Sequence, residues 1–548
     1  MSINRLRELG VMIDCSRNAV VHVPALKRFM KICAGFGYDY IGLYTEDTLE
    51  VEGEPYFGYQ RGRYTGEEIR EAAAYAKSLG MELRPYIQTL AHINQITEYS
   101  DYCGHIDTGD ILLTGDERVY QLLDHVLKTI SETYSSKVVN IGMDEAHMVG
   151  LGRYLEQHGY EDRVQIILRH LEKVVELCKQ YDLKPQMWSD MFFRLLNNGS
   201  YDSGDPEKNR ALMEEMKRTV HIPEGLELVY WDYYSTDVAH YKTMLSQHKA
   251  MTDRISFAGG AWRWMGFNPY NSFSILATKS ALEACLSEDI DSCVITMWGD
   301  DGTECSIYSV LPALFEAAVA GGKISDRGIF EKVTGYTFEE FMLLDLPDPG
   351  CEGKHKNNLT KILLFADPLL GVFDSLVPDN TATYYADVAK KLHAVTCGRE
   401  REEDSVFRMQ EMLCRVLELK ADLGIRLRQA YQEAFQAGDK EALKDLKDHV
   451  LPELITRLDA FYQAFRKQWL EEAKPFGFEV QTIRIGGLRQ RLVDCIDTLE
   501  QYLNGNLQKI EELETKALPV GYYMDGGSYT DPEFNRYRLL ATTSRLSW

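Results

Sequence analysis

The sequence lacks the marks of several common protein classes. Its 11 cysteines include no C-x-x-C pair, so the usual spacings of zinc ribbons and thiol redox sites are absent. No apolar run reaches the roughly 18 residues that a membrane-spanning helix needs, and the charged N-terminus does not read as a signal peptide. Positive charge is scarce, since 60 Lys and Arg face 84 Asp and Glu, for a net charge of −24. We therefore predict free thiols in the cytoplasm, and neither nucleic acid nor membrane as a partner.

The first 320 residues alternate short apolar strands with amphipathic helices. The predicted strands are VMIDC from Val11, YIGLY from Tyr40, ELRPY from Glu82, VVNIG from Val138, PQMW from Pro185, LELVYW from Leu226, ISFAGG from Ile255 and VITMW from Val294. Eight strand and helix pairs in this length are typical of an α/β (β/α)8 TIM barrel. A doubly wound open sheet is the alternative, but the first strand is followed by D-C-S-R rather than a G-x-G-x-x-G turn.

The remainder of the chain has long helical repeats of apolar residues. These repeats predict an all-α C-terminal domain, packed as an antiparallel bundle. We place the catalytic barrel at residues 1–345 and the α-helical domain at 346–548, and the apolar stripes suggest a homodimer.

Polar and aromatic residues follow every predicted strand, and in a barrel these positions meet at the catalytic face. Aromatic walls with carboxylates and one Arg suit a sugar ring, whose faces stack on indoles and whose hydroxyls need polar partners. A metal site would need clustered His residues, which are absent from the end of the first strand, so neither a metal nor a cofactor is expected. The strand-end residues considered are Arg17, Asp47, His92, Asp144, Glu145, Trp188, Tyr230, Asp232, Trp262, Trp298 and Asp300.

These residues resemble the active site of family-20 glycoside hydrolases, the exo-β-N-acetylhexosaminidases. The family's strand-4 signature, a glycine and an apolar residue before Asp-Glu, stands here as Gly142 to Glu145. The other matching positions are Arg17, Asp47, His92, Trp188, Tyr230 with Asp232, and Trp298 with Asp300. Asp300 stands where the family commonly has Glu. The early start of the barrel and the added helical domain resemble a smaller, intracellular bacterial branch of the family that lacks the N-terminal α+β domain.

The resemblance implies a retaining, substrate-assisted mechanism on terminal non-reducing β-linked N-acetylglucosamine or N-acetylgalactosamine. The substrate's own acetamide would attack the anomeric carbon and form an oxazolinium ion, which removes the need for an enzyme nucleophile. Glu145 would act as general acid and then base, while Asp144 and Tyr230 would orient the acetamide.

The remaining residues are assigned to binding. Arg17 and Asp300 would bind the non-reducing-end hydroxyls, with Asp232 nearby, and the three tryptophans would surround the acetyl group and the sugar face. His92, near Asp47 and Glu145, is either a relay of protonation or a structural histidine. Two other functions stay open on the sequence: a barrel glycosidase that uses two separated carboxylates on sugars without an acetamide, and a non-catalytic sugar-binding protein.

Overall fold

The computed structural model describes residues 5–197, 199–201, 206–349, 358–518 and 536–546. The chain divides into two compact units. The first comprises Met1–Ala261, Ser274–Trp298 and Ala313–Thr334, and the second comprises Trp262–Phe273, Gly299–Pro312 and Gly335–Trp548. The second unit also includes segments from before residue 346, so the bounds of the two units differ from those of the two expected domains. The domain boundary expected from the sequence stays a prediction.

The first unit contains the eight expected strands. They are β1 Glu8–Asp14, β2 Tyr40–Tyr44, β3 Glu82–Tyr86, β4 Val138–Asn140, β5 Lys184–Trp188, β6 Glu227–Trp231, β7 Ile255–Gly260 and β8 Ser292–Met297. They pair in parallel and close into a barrel in the order β1-β8-β7-β6-β5-β4-β3-β2. The predicted TIM barrel is confirmed, so the carboxyl ends of all eight strands share one face.

Large side chains fill the barrel. The buried interior cluster contains Met12, Tyr40, Tyr44, Tyr86, Trp188, Val229, Ala258 and Val294, with Trp231 and Trp298 packed against it. Glycines make room for the tyrosines, because a Cβ on Gly10 would lie 2.0 Å from the ring of Tyr40, and one on Gly42 would lie 2.5 Å from that of Tyr86. The interior is thus a packed core that supports the strand ends.

The amino ends of the strands are joined by buried charge. Arg84 of β3 is buried and forms ion pairs with Glu8 and Glu82. Its guanidinium lies 3.8 Å from the ring centroid of Tyr40, and Glu8 also accepts a hydrogen bond from Ser292. This network connects β1, β2, β3 and β8 at the end of the barrel opposite the catalytic face.

Helices follow the strands in the expected order. They are α1 Val23–Gly35, α2 Gly66–Ser78, α3 Glu117–Thr133, α4 Arg153–His158, α5 Arg163–Gln180, α6 Asp190–Leu196, α7 Pro206–Thr219, α8 Val238–Lys249, α9 Asn271–Ser287, α10 Leu311–Ala320 and α11 Ile329–Thr334. A two-stranded ribbon, Ile106–Thr108 with Ile111–Leu112, lies in the segment after β3. Thr65 and Glu68 form a capping box at the start of α2, which satisfies backbone donors that a helix N-terminus leaves unpaired.

The second unit contains helices and loops but no strand among its described residues, in agreement with the all-α C-terminal region that the sequence predicted. Its helices are α12 Phe338–Met342, α13 Leu359–Phe365, α14 Thr381–Thr396, α15 Asp404–Lys420, α16 Leu423–Ala437, α17 Glu441–Asp445, α18 Leu451–Glu472, α19 Phe478–Leu503, α20 Glu511–Glu514 and α21 Tyr537–Leu540. Lys361 is fully buried there, and its Nζ contacts Asp301 at 3.0 Å and Glu304 at 2.8 Å. Arg484 contacts the same two carboxylates. Across the described part of both units, no helix has the length and apolar content to cross a membrane.

Candidate active site

A left-handed turn at the end of β4 carries the Asp-Glu pair. The strand ends at Asn140, and Gly142, Met143 and Glu145 have φ angles of 73°, 71° and 53°. Only glycine fits at 142, because a Cβ there would lie 2.2 Å from the side-chain oxygen of Gln88. In a continuing strand, successive side chains would point to opposite faces. The turn breaks that alternation, so that Asp144 and Glu145 both approach one histidine.

That histidine is His92, which follows β3. Its Nε2 lies 3.3 Å from Oδ2 of Asp144 and 3.7 Å from Oε2 of Glu145. Burial lowers the pKa of His92, but the charges of Asp144 and Glu46 and the hydrogen bond to Asp144 outweigh burial and raise it to about 10. His92 is therefore a cation at neutral pH.

Asp144 is held in its ionised form. Its Oδ1 accepts a hydrogen bond of 2.6 Å from the side-chain amide of Gln88, whose oxygen in turn accepts from the backbone N–H of Met143 at 3.1 Å. Burial raises the pKa of Asp144, but the positive charge and hydrogen bond of His92 and the hydrogen bond of Gln88 outweigh it and lower the pKa below its usual value. Gln88 is a site residue that sequence reasoning missed, because a lone Gln in a loop has no recognisable signature.

Arg17 pairs with a carboxylate that the sequence did not single out. Its Nη2 lies 3.0 Å from Oε1 of Glu46 and 3.4 Å from Nδ1 of His92. Glu46 is buried, accepts from the hydroxyl of Tyr44, and has a φ angle of 44°. Burial raises its pKa, while Arg17 and His92 oppose that rise. Glu46, rather than Asp47, therefore faces Arg17 and His92.

Asp47 lies in a different contact set. It is buried and pairs with Arg61, whose Nε lies 2.8 Å from its Oδ2. Arg61 also donates to the backbone oxygen of Ser16 and reaches Asn18 at 3.5 Å. Asp47 thus links the loops after β1 and β2. The sequence placed Asp47 near His92, but the carboxylate whose charge acts on His92 is that of Glu46.

Aromatic rings line the centre of the catalytic face. Trp188 and Trp298 lie with ring centroids 6.2 Å apart, and Tyr44 packs edge-on to Trp298 at 4.8 Å. The indole N–H of Trp188 is buried and has no hydrogen-bond partner among the described residues. The indole N–H of Trp298 donates to the hydroxyl of Tyr233 at 3.0 Å. The structure thus brings these two predicted tryptophans together as a wall.

The structure does not bring Tyr230 to this centre. Its ring packs against His248 of α8 and Phe257 of β7, outside the barrel, and its hydroxyl donates to Asp232 at 3.0 Å. Strand alternation explains this placement, because Val229 is interior and its neighbour must face the opposite way. The expectation that Tyr230 orients the acetamide therefore has no geometric basis.

Tyr233, and not Tyr230, lies beside the aromatic wall, where its hydroxyl accepts from the indole N–H of Trp298. It is buried and stacks on Trp231 at 5.4 Å, and the charges of Asp144 and Glu145 reach it, although burial is the main cause that raises its pKa. The period-two series Val229, Trp231, Tyr233 is the sequence signal that could have identified it.

Asp232 shares a cavity with Glu145. Its Oδ2 lies 2.7 Å from Nε2 of His240. The cavity has a volume of about 550 Å³. Its lining residues are Glu145, Arg194, Tyr201, Trp231, Asp232, Tyr234, Ser235, His240 and Met244. Glu145, whose side chain is 43% exposed, thus touches His92 on one side and this cavity on the other.

Trp262 and Asp300 belong to the second unit. Trp262 is buried and stacks on Trp264 at 4.4 Å. Asp300 is exposed and has a φ angle of 34°. Their assignment to sugar binding stays a prediction.

The described residues contain no group of three or more His, Cys, Asp or Glu side chains that could hold a metal ion.

Two family models match the chain. The model for the catalytic domain of glycosyl hydrolase family 20 matches residues 41–253, and the model for the C-terminal domain of glycoside hydrolase 20C matches residues 339–528. The first match runs from the second residue of β2 to beyond β6 and includes both residues of the Asp144–Glu145 pair.

Individual relatives are distant. Human hexosaminidase D is 22% identical over 241 residues, which are 42% of this chain and 46% of that protein. The bovine hexosaminidase D is 20% identical over 258 residues, or 45% of this chain and 68% of the relative. The chain therefore spans about half the length of the human protein. A solved family-20 exo-β-N-acetylglucosaminidase from Vibrio harveyi, in complex with N-acetylglucosamine, has 15% identity and a TM-score of 0.46, over 62% of this chain and 59% of that one.

Proposed function

Because the chain belongs to glycoside hydrolase family 20, we propose that it is an exo-acting β-N-acetylhexosaminidase that removes terminal N-acetylglucosamine or N-acetylgalactosamine by substrate-assisted catalysis. The observation that carries the proposal is the turn after β4, which sets an ionised Asp144 and a partly exposed Glu145 on one cationic histidine. The two carboxylates have different surroundings, as separate acid and orienting roles require.

The first step forms the oxazolinium ion. Glu145 gives its proton to the glycosidic oxygen as the bond from that oxygen to the anomeric carbon breaks. The acetamide oxygen of the substrate forms the new bond to the anomeric carbon, so the leaving sugar departs as a neutral alcohol. The Glu145 carboxyl is open to a cavity that it lines together with Trp231 and Asp232, which lets a bound glycoside reach it.

The acetamide is oriented by two side chains. Asp144 accepts a hydrogen bond from the acetamide N–H and stabilises the positive charge that develops there, which its lowered pKa allows at neutral pH. Tyr233 donates to the acetamide oxygen, with its hydroxyl held in place by Trp298. In the second step Glu145 takes a proton from water, whose oxygen opens the ring at the anomeric carbon with retention.

Binding is assigned to the remaining residues. Trp188 and Trp298 stack on the sugar and its acetyl group. Arg17, which is held by its ion pair with Glu46, binds the non-reducing-end hydroxyls. Because it closes that end of the site, the enzyme is exo-acting. Asp300, Asp232 and Trp262 keep the binding roles predicted from the sequence.

We also retain the cytoplasm and a homodimer as proposals. None of the ten described cysteines forms a disulfide, which suits a reducing compartment. Sedimentation that finds only monomer at working concentration would remove the dimer.

The test is a panel of 4-nitrophenyl β-glycosides of N-acetylglucosamine, N-acetylgalactosamine and glucose. We expect hydrolysis of the acetamido sugars alone, inhibition by a thiazoline analogue of the intermediate, and a loss of roughly 10²- to 10⁴-fold in kcat for Glu145→Gln. Equal turnover of the glucoside would contradict the assisted mechanism. Absence of turnover on all three sugars would contradict the proposed activity.

A further inference from the structure

A third carboxylate, Asp190, lies beside the catalytic pair and has no role so far. It follows Trp188 and Ser189 at the carboxyl end of β5 and is the first residue of α6. Its side chain is fully buried. Oδ2 accepts from the backbone N–H of Glu145 at 3.2 Å and from Nε of Arg194 at 3.0 Å, and Oδ1 accepts from the indole N–H of Trp231 at 3.3 Å. Asp190 therefore joins the β4 turn, α6 and the end of β6.

The contact with Glu145 fixes a strained backbone. Glu145 is a non-glycine residue in the left-handed region, a conformation that costs of order 1 to 3 kcal/mol and persists only when its surroundings enforce it. Gln88 holds the N–H of Met143 on one side of Asp144, and Asp190 holds the N–H of Glu145 on the other. The direction in which Glu145 points is thus set by the Asp190 carboxylate.

Asp190 lies in a buried and crowded electrostatic environment. Burial and the charges of Asp144 and Glu145 raise the pKa of Asp190 to about 7, against the opposing effect of Arg194. Its contact with the backbone N–H of Glu145 is therefore the interaction by which it acts on the catalytic pair.

We propose that Asp190 is the positioning residue of the general acid: it holds the backbone of Glu145 so that the Glu145 side chain points at the leaving oxygen in the first step. Asp190 does not touch the substrate and acts only through Glu145. The inference rests on the proposed function and adds to it the residue that makes Glu145 an effective acid.

A series of leaving groups tests this role. Aryl β-glycosides of N-acetylglucosamine with poor leaving groups need a proton from Glu145, whereas 2,4-dinitrophenolate departs without one. In Asp190→Asn we expect kcat/KM to fall by about 100-fold or more for 4-methoxyphenyl and by about 5-fold or less for 2,4-dinitrophenyl, since general acid catalysis is worth roughly 10²- to 10⁴-fold.

Asp107→Asn is the matched control. Asp107 is also buried, and it accepts from the backbone N–H groups of Gly150 and Tyr154, further along the same loop. We expect this variant to keep the wild-type dependence on leaving group. Asp190→Glu is the second variant, which retains the charge but displaces the contact with Glu145. It should lose activity selectively on poor leaving groups, as Asp190→Asn does. Thiazoline binding reports whether each variant keeps a folded site.

The outcomes separate the two proposals. If the wild type is active and Asp190→Asn loses all leaving groups equally, or behaves as Asp107→Asn, the role of Asp190 is overturned while the proposed function stands. If Asp190→Asn does not fold, an Asp190→Glu with wild-type leaving-group dependence overturns it equally. If the wild type hydrolyses no acetamido sugar, the proposed function fails and this inference fails with it.

Discussion

The Nε2 atom of His92 lies 3.3 Å from Oδ2 of Asp144, which makes an ion pair of a histidine and the carboxylate assigned to the acetamide. Each partner shifts the pKa of the other toward its charged form, for His92 to about 10 and for Asp144 below its usual value. The pair is therefore charged throughout the pH range in which the protein would work.

The stability that this pair contributes should depend on pH in a defined direction. His92 has a raised pKa, so its contribution is complete below pH 6.5 and is lost as the pH rises toward about 10. The Asp144 contribution is complete above its ordinary value of 3.8 and is lost as the pH falls below it. Urea unfolding of wild type and His92→Gln should give a difference in unfolding free energy that shrinks steadily from pH 6.5 to pH 10.

His170→Gln serves as the control for this pH dependence. His170 is buried, and burial lowers its pKa to about 4, so it is neutral at pH 6.5 and above. Because this histidine titrates at its ordinary pKa of 6.5 in the unfolded chain, its loss should lower stability by an amount that stays constant from about pH 7.5 to pH 10. A constant difference for His92→Gln as well would contradict the ion pair.

Replacement of Tyr233 and of Tyr230 should have different effects, because the two side chains lie on opposite sides of β6. Tyr233→Phe should lower kcat on the acetamido nitrophenyl glycosides by roughly 100-fold, the usual cost of one oriented donor to a developing charge. Tyr230→Phe loses only its hydrogen bond to Asp232, so we expect near-normal kcat and a stability loss of about 1 kcal/mol. The reverse order of effects would restore the role first predicted for Tyr230.

The carboxylates after β2 should likewise divide into binding and structural roles. Glu46→Gln weakens the charged contact that fixes Arg17, and we expect KM to rise about tenfold, the equivalent of one charged hydrogen bond of roughly 1.5 kcal/mol. Asp47→Asn weakens the contact with Arg61 and should lower the unfolding temperature with KM unchanged. A KM effect confined to Asp47→Asn would contradict the placement of Glu46.

Lys361→Met should strongly destabilise the second unit. It removes the buried ammonium that the buried Glu304 shares with the half-buried Asp301, and leaves Arg484 as their remaining cation. Breaking a buried pair costs about 3 to 5 kcal/mol. The exposed Lys173, paired with Glu176 on α5, provides the control, since loss of a surface pair has little effect. Chemical denaturation compares the two, and equal effects would show that burial of the Lys361 cluster is unimportant to stability.

The sequence predicted the barrel because strand and helix periodicities recur eight times, and these patterns are local. It predicted Asp144, Glu145, Trp188 and Trp298 together because strand ends converge on one face. It did not separate Glu46 from Asp47, because a φ angle of 44° at a glutamate is imposed by its surroundings and is not encoded in the residue type. The family motif predicted Tyr230, although period-two alternation along β6 points to Tyr233.

The contacts of Asp190 and Gln88 could not be predicted, because they join segments far apart in the chain, at separations of 45 residues for Asp190 to Glu145 and 56 for Gln88 to Asp144. Each depends on the angle at which a loop leaves its strand. The roles of Asp300 and Trp262 stay predictions from the sequence.

Left-handed backbone at non-glycine positions is concentrated after the first four strands, at Asn18, Ala19, Glu46, His92, Met143 and Glu145. A non-glycine residue in this conformation lowers folding stability and persists only where its surroundings enforce it. The catalytic rim of the barrel is therefore also a strained part of the backbone. An engineer who wished to make this protein more heat-resistant should leave that rim untouched. The useful substitutions lie at the opposite end, around the Arg84 network, where tighter packing can be added at no cost to turnover.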